Sequence, residues 1–225
     1  MKTFLLLSEK SWHLPLFQDL KHNSIYRWVL IDRKELFTEN SISELNPDII
    51  FIPHWSYIIP EDIFLKYTCI VFHMTDLPYG RGGSPLQNLI VNKHVVTKIS
   101  AIKVDKGIDT GDVYLKKDLP LFGTAQEIFL RSVNIIKLMI SEIINNNLAP
   151  VKQTGDVVSF KRRTADQGNL KDITDLETIY DYIRMLDAEG YPNAFLETES
   201  FILKFSRAAI KSDKEIIADV RIIKK

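Results

Sequence analysis

The chain has 225 residues, 45% of them hydrophobic and 26% charged. That composition suits one large domain, or a catalytic domain with a small appendage, and excludes a disordered or low-complexity chain. Its 29 basic and 29 acidic residues cancel, which argues against a large nucleic-acid partner, because phosphate neutralisation draws on a basic excess.

The single cysteine, Cys69, cannot form an intrachain disulfide and fits a reducing compartment. It lies in the apolar run Thr68–Phe72 and reads as a small buried side chain. The N-terminal MKTFLLLSEK has an apolar core too short for a signal peptide, and no run reaches membrane-spanning length. The expectation is a cytoplasmic protein with no membrane partner.

In chain order, residues 3–7, 25–31, 48–53 and 69–73 are continuous apolar runs of the kind that fill strands buried on both faces. Helical starts separate them: a capping box at Ser41–Glu44, and Pro60-Glu-Asp with proline at the first helical position. Strands alternating with helices imply crossover connections and a parallel sheet. Residues 95–104 and 113–121 read as longer strands. A capping box at Thr124–Glu127 then opens a helix with apolar residues from Ile128 to Ile143 at helical spacing, which Asn145–Asn147 and Pro150 stop. Beyond Pro150, residues 155–170 read as loop with a short strand. A capped helix follows from Thr174 to about Leu186, and 194–204 and 207–221 are β-rich. The expected fold is α/β: a Rossmann-like, open, mostly parallel sheet with helices on both faces, plus a small C-terminal α+β extension. A soft boundary falls near 150, giving a catalytic domain over 1–150 and a substrate or dimerisation region over 151–225. No glycine-rich dinucleotide or P-loop motif follows the first strand.

The densest chemical signal is Phe72-His-Met-Thr-Asp-Leu-Pro-Tyr-Gly-Arg-Gly-Gly-Ser-Pro85, directly after a buried strand. Ligands of open α/β sheets bind beyond the carboxyl ends of strands. Glycines there let the backbone approach a ligand, and Arg81 offers a forked donor for phosphate or carboxylate. An ordinary strand-to-helix loop with a half-buried His73 explains the segment about as well. A second segment, Lys106-Gly-Ile-Asp-Thr-Gly-Asp112, taken alone reads as a glycine-containing hairpin with solvated carboxylates. The five histidines are scattered and show no metal-ligand spacing.

Together the two segments resemble the formyltetrahydrofolate-dependent formyltransferase family. Its pattern of Asn-x-His, a Leu-Pro pair and an Arg-Gly-x-x-Pro loop is matched by His73, Leu77-Pro78, Arg81-Gly82 and Pro85. Its Gly-x-Asp-x-Gly turn is matched by Gly107, Asp109 and Gly111. The resemblance covers residues 48–115 well. It implies N10-formyltetrahydrofolate as cofactor, His73 and Asp109 as catalytic residues, and formyl transfer to a primary amine without a metal. It also implies a pterin wall of Trp55, Ser56, Tyr57 and Ile58, closed by the loop carrying Val104, Asp105, Gly107 and Ile108. Substrate contacts are expected at Met74, Thr75, Tyr79, Gly80, Arg81, Gly82 and Gly83.

The sequence departs from the family at Val71, where the pattern has Asn; valine cannot donate to an oxyanion. His54, which follows the preceding buried run, is the candidate substitute, and a wall or packed histidine is the alternative reading of it. Ile183–Phe195 further resembles the sugar N-formyltransferases and adds Tyr191 to the substrate contacts, with Arg162 as a partner for a nucleotide pyrophosphate. The resulting expectation is N-formylation of a UDP- or dTDP-linked amino-dideoxy sugar for surface glycan, by a possible homodimer paired through its β-rich C-terminal part. A methionyl-tRNA formyltransferase-like enzyme, a non-catalytic nucleotide-sugar or folate-binding module, and a formyltetrahydrofolate hydrolase remain open.

Overall fold

The structure is a computed structural model describing Met1–His22 and Ile25–Lys225. Contacts divide the chain into two compact units. One comprises Met1–Gly82, Lys98–Leu119 and Leu130–Ser159; the other comprises Gly83–Thr97, Pro120–Phe129 and Phe160–Lys225.

The first unit is built on a six-stranded sheet of β1 (Thr3–Ser8), β2 (Arg27–Ile31), β3 (Ile49–His54), β4 (Thr68–His73), β6 (Val96–Lys103) and β7 (Val113–Pro120), in the order β2-β1-β3-β4-β6-β7. β5 (Tyr79–Gly82) lies outside it and pairs with β8 (Val158–Phe160). β1 is parallel to β2 and to β3, and β3 to β4; β6 turns the sheet antiparallel beside β4. The apolar runs produce this arrangement because both sheet faces are buried. Phe4, Trp28, Phe51 and Phe72 form a chain of ring contacts with centroids 5.1 to 6.4 Å apart. Their neighbours in sequence, Leu5, Ile50 and Ile52, join an aliphatic cluster with Ile42, Ile63 and Cys69, which lies three residues before Phe72, as period-two alternation requires. Ile42 comes from α2 (Glu39–Leu45) and Ile63 from α3 (Glu61–Lys66). α1 (Leu14–His22) buries Leu16 and Leu20, and Asp19 pairs with Lys137 on α5 (Ala125–Asn145) at 2.5 Å.

The second unit holds α4 (Pro85–Val91), α6 (Leu176–Leu186) and an antiparallel sheet of β9 (Ala194–Glu197), β10 (Phe201–Ser212) and β11 (Glu215–Lys224), in the order β11-β10-β9. Gln87 of α4 donates to the Met185 carbonyl at 3.1 Å, and Lys93 pairs with Asp181 of α6 at 2.9 Å. The buried Arg184 binds Asp181 at 2.7 Å and donates to the carbonyls of Leu121 and Gly123 at 2.6 and 3.0 Å.

The α/β class and the mostly parallel sheet agree with expectation, and so does the Thr124–Glu127 capping box, whose reciprocal bonds measure 2.7 and 3.2 Å. Three helix starts differ. Thr38, not Ser41, caps α2, taking the Ser41 N–H at 3.2 Å. Pro60 is the N-cap of α3 rather than its first residue. Asp175, not Thr174, caps α6. In each case adjacent residues offer alternative caps, and the register that turns Ile42, Ile63 or Ile183 inward selects among them. The glycine-rich segment read as loop contains β5, and α4 starts directly after it. Among the described residues, no helix is long and apolar enough to cross a membrane.

Candidate functional site

β4 ends in His73 at the carboxyl edge of the sheet, with Val71 two residues back on the same face. Ser100 of β6 lies opposite His73 in register, as Ile102 lies opposite Val71. The ring is buried and hydrogen-bonded at Nε2. Nε2 donates to the Gly80 carbonyl at 2.8 Å, so Nδ1 is left facing the Asp109 carboxylate at 3.5 Å. Thr75, fully buried, also donates to Gly80, at 3.3 Å, and Ser100 donates to the Thr75 carbonyl at 2.7 Å. The first residues of the glycine loop are thus fixed from beneath, and Met74 and Thr75 belong to that buried support.

Asp109 is presented by the turn between β6 and β7. Asp105 organises the turn by accepting the Gly107 N–H at 3.0 Å and the Thr110 hydroxyl at 2.5 Å. Asp109 itself is left-handed, with φ +53°, a conformation that aspartate tolerates better than most residues. Gly111 must lack a side chain, because a Cβ there would penetrate the Lys103 carbonyl. The Asp109 carboxylate also accepts the Gly82 N–H at 2.9 Å, where Gly82 has φ +107°. The aspartate is thereby oriented by the same strand, β5, that receives the His73 proton donor.

Arg81 does not project as a free fork. Its Nε and one terminal nitrogen both donate to Gln153 Oε1, at 3.2 and 2.7 Å. Gln153 Nε2 in turn donates to the carbonyls of Asp109 and Gly111, each at 2.8 Å. Gln153 therefore clamps the arginine loop to the aspartate turn. No motif marks it in the sequence, where it is a lone glutamine in a polar stretch.

The residues expected around a pterin divide between wall and rim. Trp55 packs edge-on against Phe37 and Tyr57, and Ser56 hydrogen-bonds Glu9. Tyr57 carries Lys34 over its ring at 4.5 Å, while Ile58 and Ile108 are exposed at 88% and 69%. Val104 N–H donates to the Cys69 carbonyl at 2.9 Å, anchoring the loop to β4. An open recess of about 260 Å³ is lined by Phe64, Leu65, Lys103, Val104, Asp105 and Lys106. Of the residues expected to hold a pterin, Val104 and Asp105 line this recess.

His54 sits among Trp12, at 6.0 Å between rings, His13 and Lys10. Burial first, then the Lys10 charge, lowers its pKa to about 3. His13 is likewise lowered to about 3, by burial and then by His54 and Lys10, and its Nδ1 accepts from Ser8 at 2.7 Å. In the second unit, a Cβ on Gly83 would strike Arg162 at 2.6 Å. Tyr191 stacks on Phe129 at 5.4 Å, and the Arg163 guanidinium lies over Tyr182 at 5.5 Å.

Residues 165–223 match the family model described as "Methionyl-tRNA formyltransferase, C-terminal domain". A solved structure, methionyl-tRNA formyltransferase from Clostridium thermocellum, superposes with a TM-score of 0.97 at 50% identity, covering 100% of both chains. Methionyl-tRNA formyltransferase of Rickettsia felis is 30% identical over 178 residues, which is 76% of this chain and 58% of that protein. A sugar N-formyltransferase from Shewanella covers 94% of this chain and 99% of its own with a TM-score of 0.71, but at 17% identity that likeness speaks for fold alone. The chain spans about half the length of the curated relatives it matches. A match along the whole chain at half identity is a statement of descent, and on it the chain belongs to the formyltransferase family.

Proposed function

We propose that the chain transfers a formyl group from N10-formyltetrahydrofolate to the primary amine of an aminoacyl ester of the methionyl-tRNA kind. The observation that carries this reading is that His73 and Asp109 are both fastened to β5, His73 through the Gly80 carbonyl and Asp109 through the Gly82 N–H. The acceptor class rests on full-length similarity at 50% identity to a methionyl-tRNA formyltransferase. That outweighs the resemblance of Ile183–Phe195 to sugar enzymes, whose solved relative from Shewanella matches at 17% identity.

When bound, the cofactor supplies an activated formyl group. Trp55, Tyr57, Ile58 and the 104–108 loop would hold its ring system. To donate to the negative charge gained by the formyl oxygen, the His73 Nε2–H has to exchange the Gly80 carbonyl for it. The gap between Nδ1 and the Asp109 carboxylate exceeds a good hydrogen bond, and such contacts tighten when substrate arrives. Asp109, held in place by Gly82, stabilises a protonated ring and receives the proton that the attacking amine gives up.

The test is a direct competition of acceptors. Purified protein with N10-formyltetrahydrofolate is offered methionyl-tRNA, or UDP- and dTDP-linked amino sugars, and formyl transfer is followed by mass spectrometry. Formylmethionyl-tRNA as the product supports the reading. Transfer to a sugar alone, or folate binding without turnover, overturns it.

A further inference from the structure

Beside His73, the carboxyl edge of the six-stranded sheet carries a second group of polar side chains. Ser8 of β1 lies opposite His54 of β3. Ile52 lies opposite Val71, and the same register carried two residues on sets His54 beside His73 of β4. The strand order β2-β1-β3 makes β1 and β3 the pair where the crossovers reverse, and open α/β sheets take ligands in the crevice at such a point.

One buried donor there has no partner. His13, in the turn after β1, is 2% exposed. The Ser8 hydroxyl, which takes the Lys10 N–H at 3.3 Å, donates to Nδ1 of the His13 ring at 2.7 Å. With Nδ1 accepting, a neutral ring carries its proton on Nε2. Nε2 is buried and has no hydrogen-bond partner among the described residues. A buried N–H left in that state costs stability, and native proteins keep few of them.

The surrounding charges decide what this donor can hold. Burial above all keeps the rings of His13 and His54 neutral, and the Lys10 charge adds to it. Lys10 is itself partnered by Glu9 at 3.7 Å, and Glu9 also accepts the Ser56 hydroxyl from the loop after β3. An anion entering here would meet the Glu9 carboxylate as well, whereas an uncharged oxygen needs only the N–H. β1 and β4 are two strand spacings apart, so Ser8, which holds the ring, stands on the order of 10 Å from His73. The reach of a sugar ring from a reacting amine, with a hydrogen bond at either end, is of that order.

We propose that His13 is a specificity-determining residue for the formyl acceptor: its Nε2–H donates to a hydroxyl of the acceptor's sugar ring while the amine is held at His73. The ring is ribose in an aminoacyl ester of the methionyl-tRNA kind and a hexose in a nucleotide-linked amino sugar, and the same hydrogen bond serves either. The role rests on formyl transfer to a sugar-bearing acceptor, as proposed above. A site built around such a hydrogen bond rejects an acceptor that lacks the hydroxyl.

Initial rates of formyl transfer test this with two acceptor arms, methionyl-tRNA and UDP- or dTDP-linked amino sugars. Asparagine places its amide where Nδ1 stands and has nothing at Nε2, whereas glutamine reaches Nε2. His13→Asn is expected to raise KM for the acceptor about tenfold or more with kcat held, and His13→Gln to restore most of the loss. The rise is expected to be the same at low and high salt, since an uncharged partner is not screened. Methionyl-tRNA ending in 2′-deoxyadenosine, or the amino sugar deoxygenated one position at a time, is expected to show the same penalty with the wild-type chain and no further penalty with His13→Asn. These analogues carry the test on the unaltered chain should His13→Asn fail to fold. A KM indifferent to both the substitution and the missing hydroxyl leaves the donor to an internal water and overturns the proposal. So does a penalty that fades with salt, which marks an anion, or a fall in kcat that His13→Gln does not restore. No turnover of either acceptor by the wild-type chain overturns the acceptor reading first, and this role with it.

Discussion

One oxygen of Asp109 serves two partners: it accepts the Gly82 N–H at 2.9 Å and lies 3.5 Å from Nδ1 of His73. The amide fixes where the charge sits, and the imidazole is where that charge is felt. Asp109→Asn keeps an acceptor for Gly82 but removes the charge. It is expected to lower kcat for formyl transfer by about 10²- to 10⁴-fold while leaving the thermal midpoint nearly unchanged. Steady-state kinetics with a parallel melt check both halves, and a large fall in the melt would reassign Asp109 to structure.

Val71 stands where the family pattern places an amide, two residues before His73 and on its face of the strand. Val71→Asn is expected to raise kcat at least about tenfold, a conservative figure for adding one oxyanion donor. Its cost in stability is about 1–3 kcal/mol, because Ile52 and Ile102 flank the position in register and offer the amide no partner. Unchanged kcat in a folded variant would mean that another group already fills this role. His54→Ala in the same assay identifies or dismisses His54 as that group.

Gln153 bridges Arg81 to the carbonyls of Asp109 and Gly111. Gln153→Ala leaves two carbonyls and a guanidinium short of partners. The expected loss is about 1–2 kcal/mol of stability and roughly tenfold in kcat/KM from slack in the aspartate turn. Denaturant titration and initial-rate measurements report the two effects separately.

Acid stability should reveal the histidine pair formed by His13, in the turn after β1, and His54, at the end of β3. Burial lowers the pKa values of His13 and His54 to about 3 from an ordinary 6.5. The folded chain therefore binds fewer protons than the unfolded one between those values. Stability is full above pH 6.5, falls as pH drops towards 3, and levels off below. Two such groups give a slope of about 2.7 kcal/mol per pH unit in the middle of that window. Urea titrations at several pH values measure it, and His13→Gln is expected to halve it.

The sheet was legible in the sequence because strands buried on both faces need unbroken apolar runs, and β1, β3 and β4 match theirs to within a residue. Helix starts were less legible. Thr38 and Ser41, or Thr174 and Asp175, are equally good caps by chemistry, and only packing separates them. At the site, the spacing of His73 and of Asp109 was readable because His73 precedes a glycine-rich segment and Asp109 lies in a turn that demands glycines. The commitment of Arg81 to Gln153 was not, because the partners are 72 residues apart and Gln153 has no local signature. The stacking of Tyr191 on Phe129, 62 residues away in sequence, is a partnership of the same long-range kind. Short motifs record backbone demands well, and long-range side-chain partnerships poorly.

The interleaving of the two units has a practical consequence for anyone exchanging parts between relatives. The last 75 residues look like a cassette that could be lifted at Pro150. Yet α6 takes its polar partners from Gln87 and Lys93, and Arg184 fastens to the carbonyls of Leu121 and Gly123. A graft cut at residue 150 would leave a buried arginine and aspartate facing a foreign surface. A working chimera has to carry three stretches together, 83–97, 120–129 and 160–225, so recombination between homologues is expected to preserve function only when its crossovers respect all three.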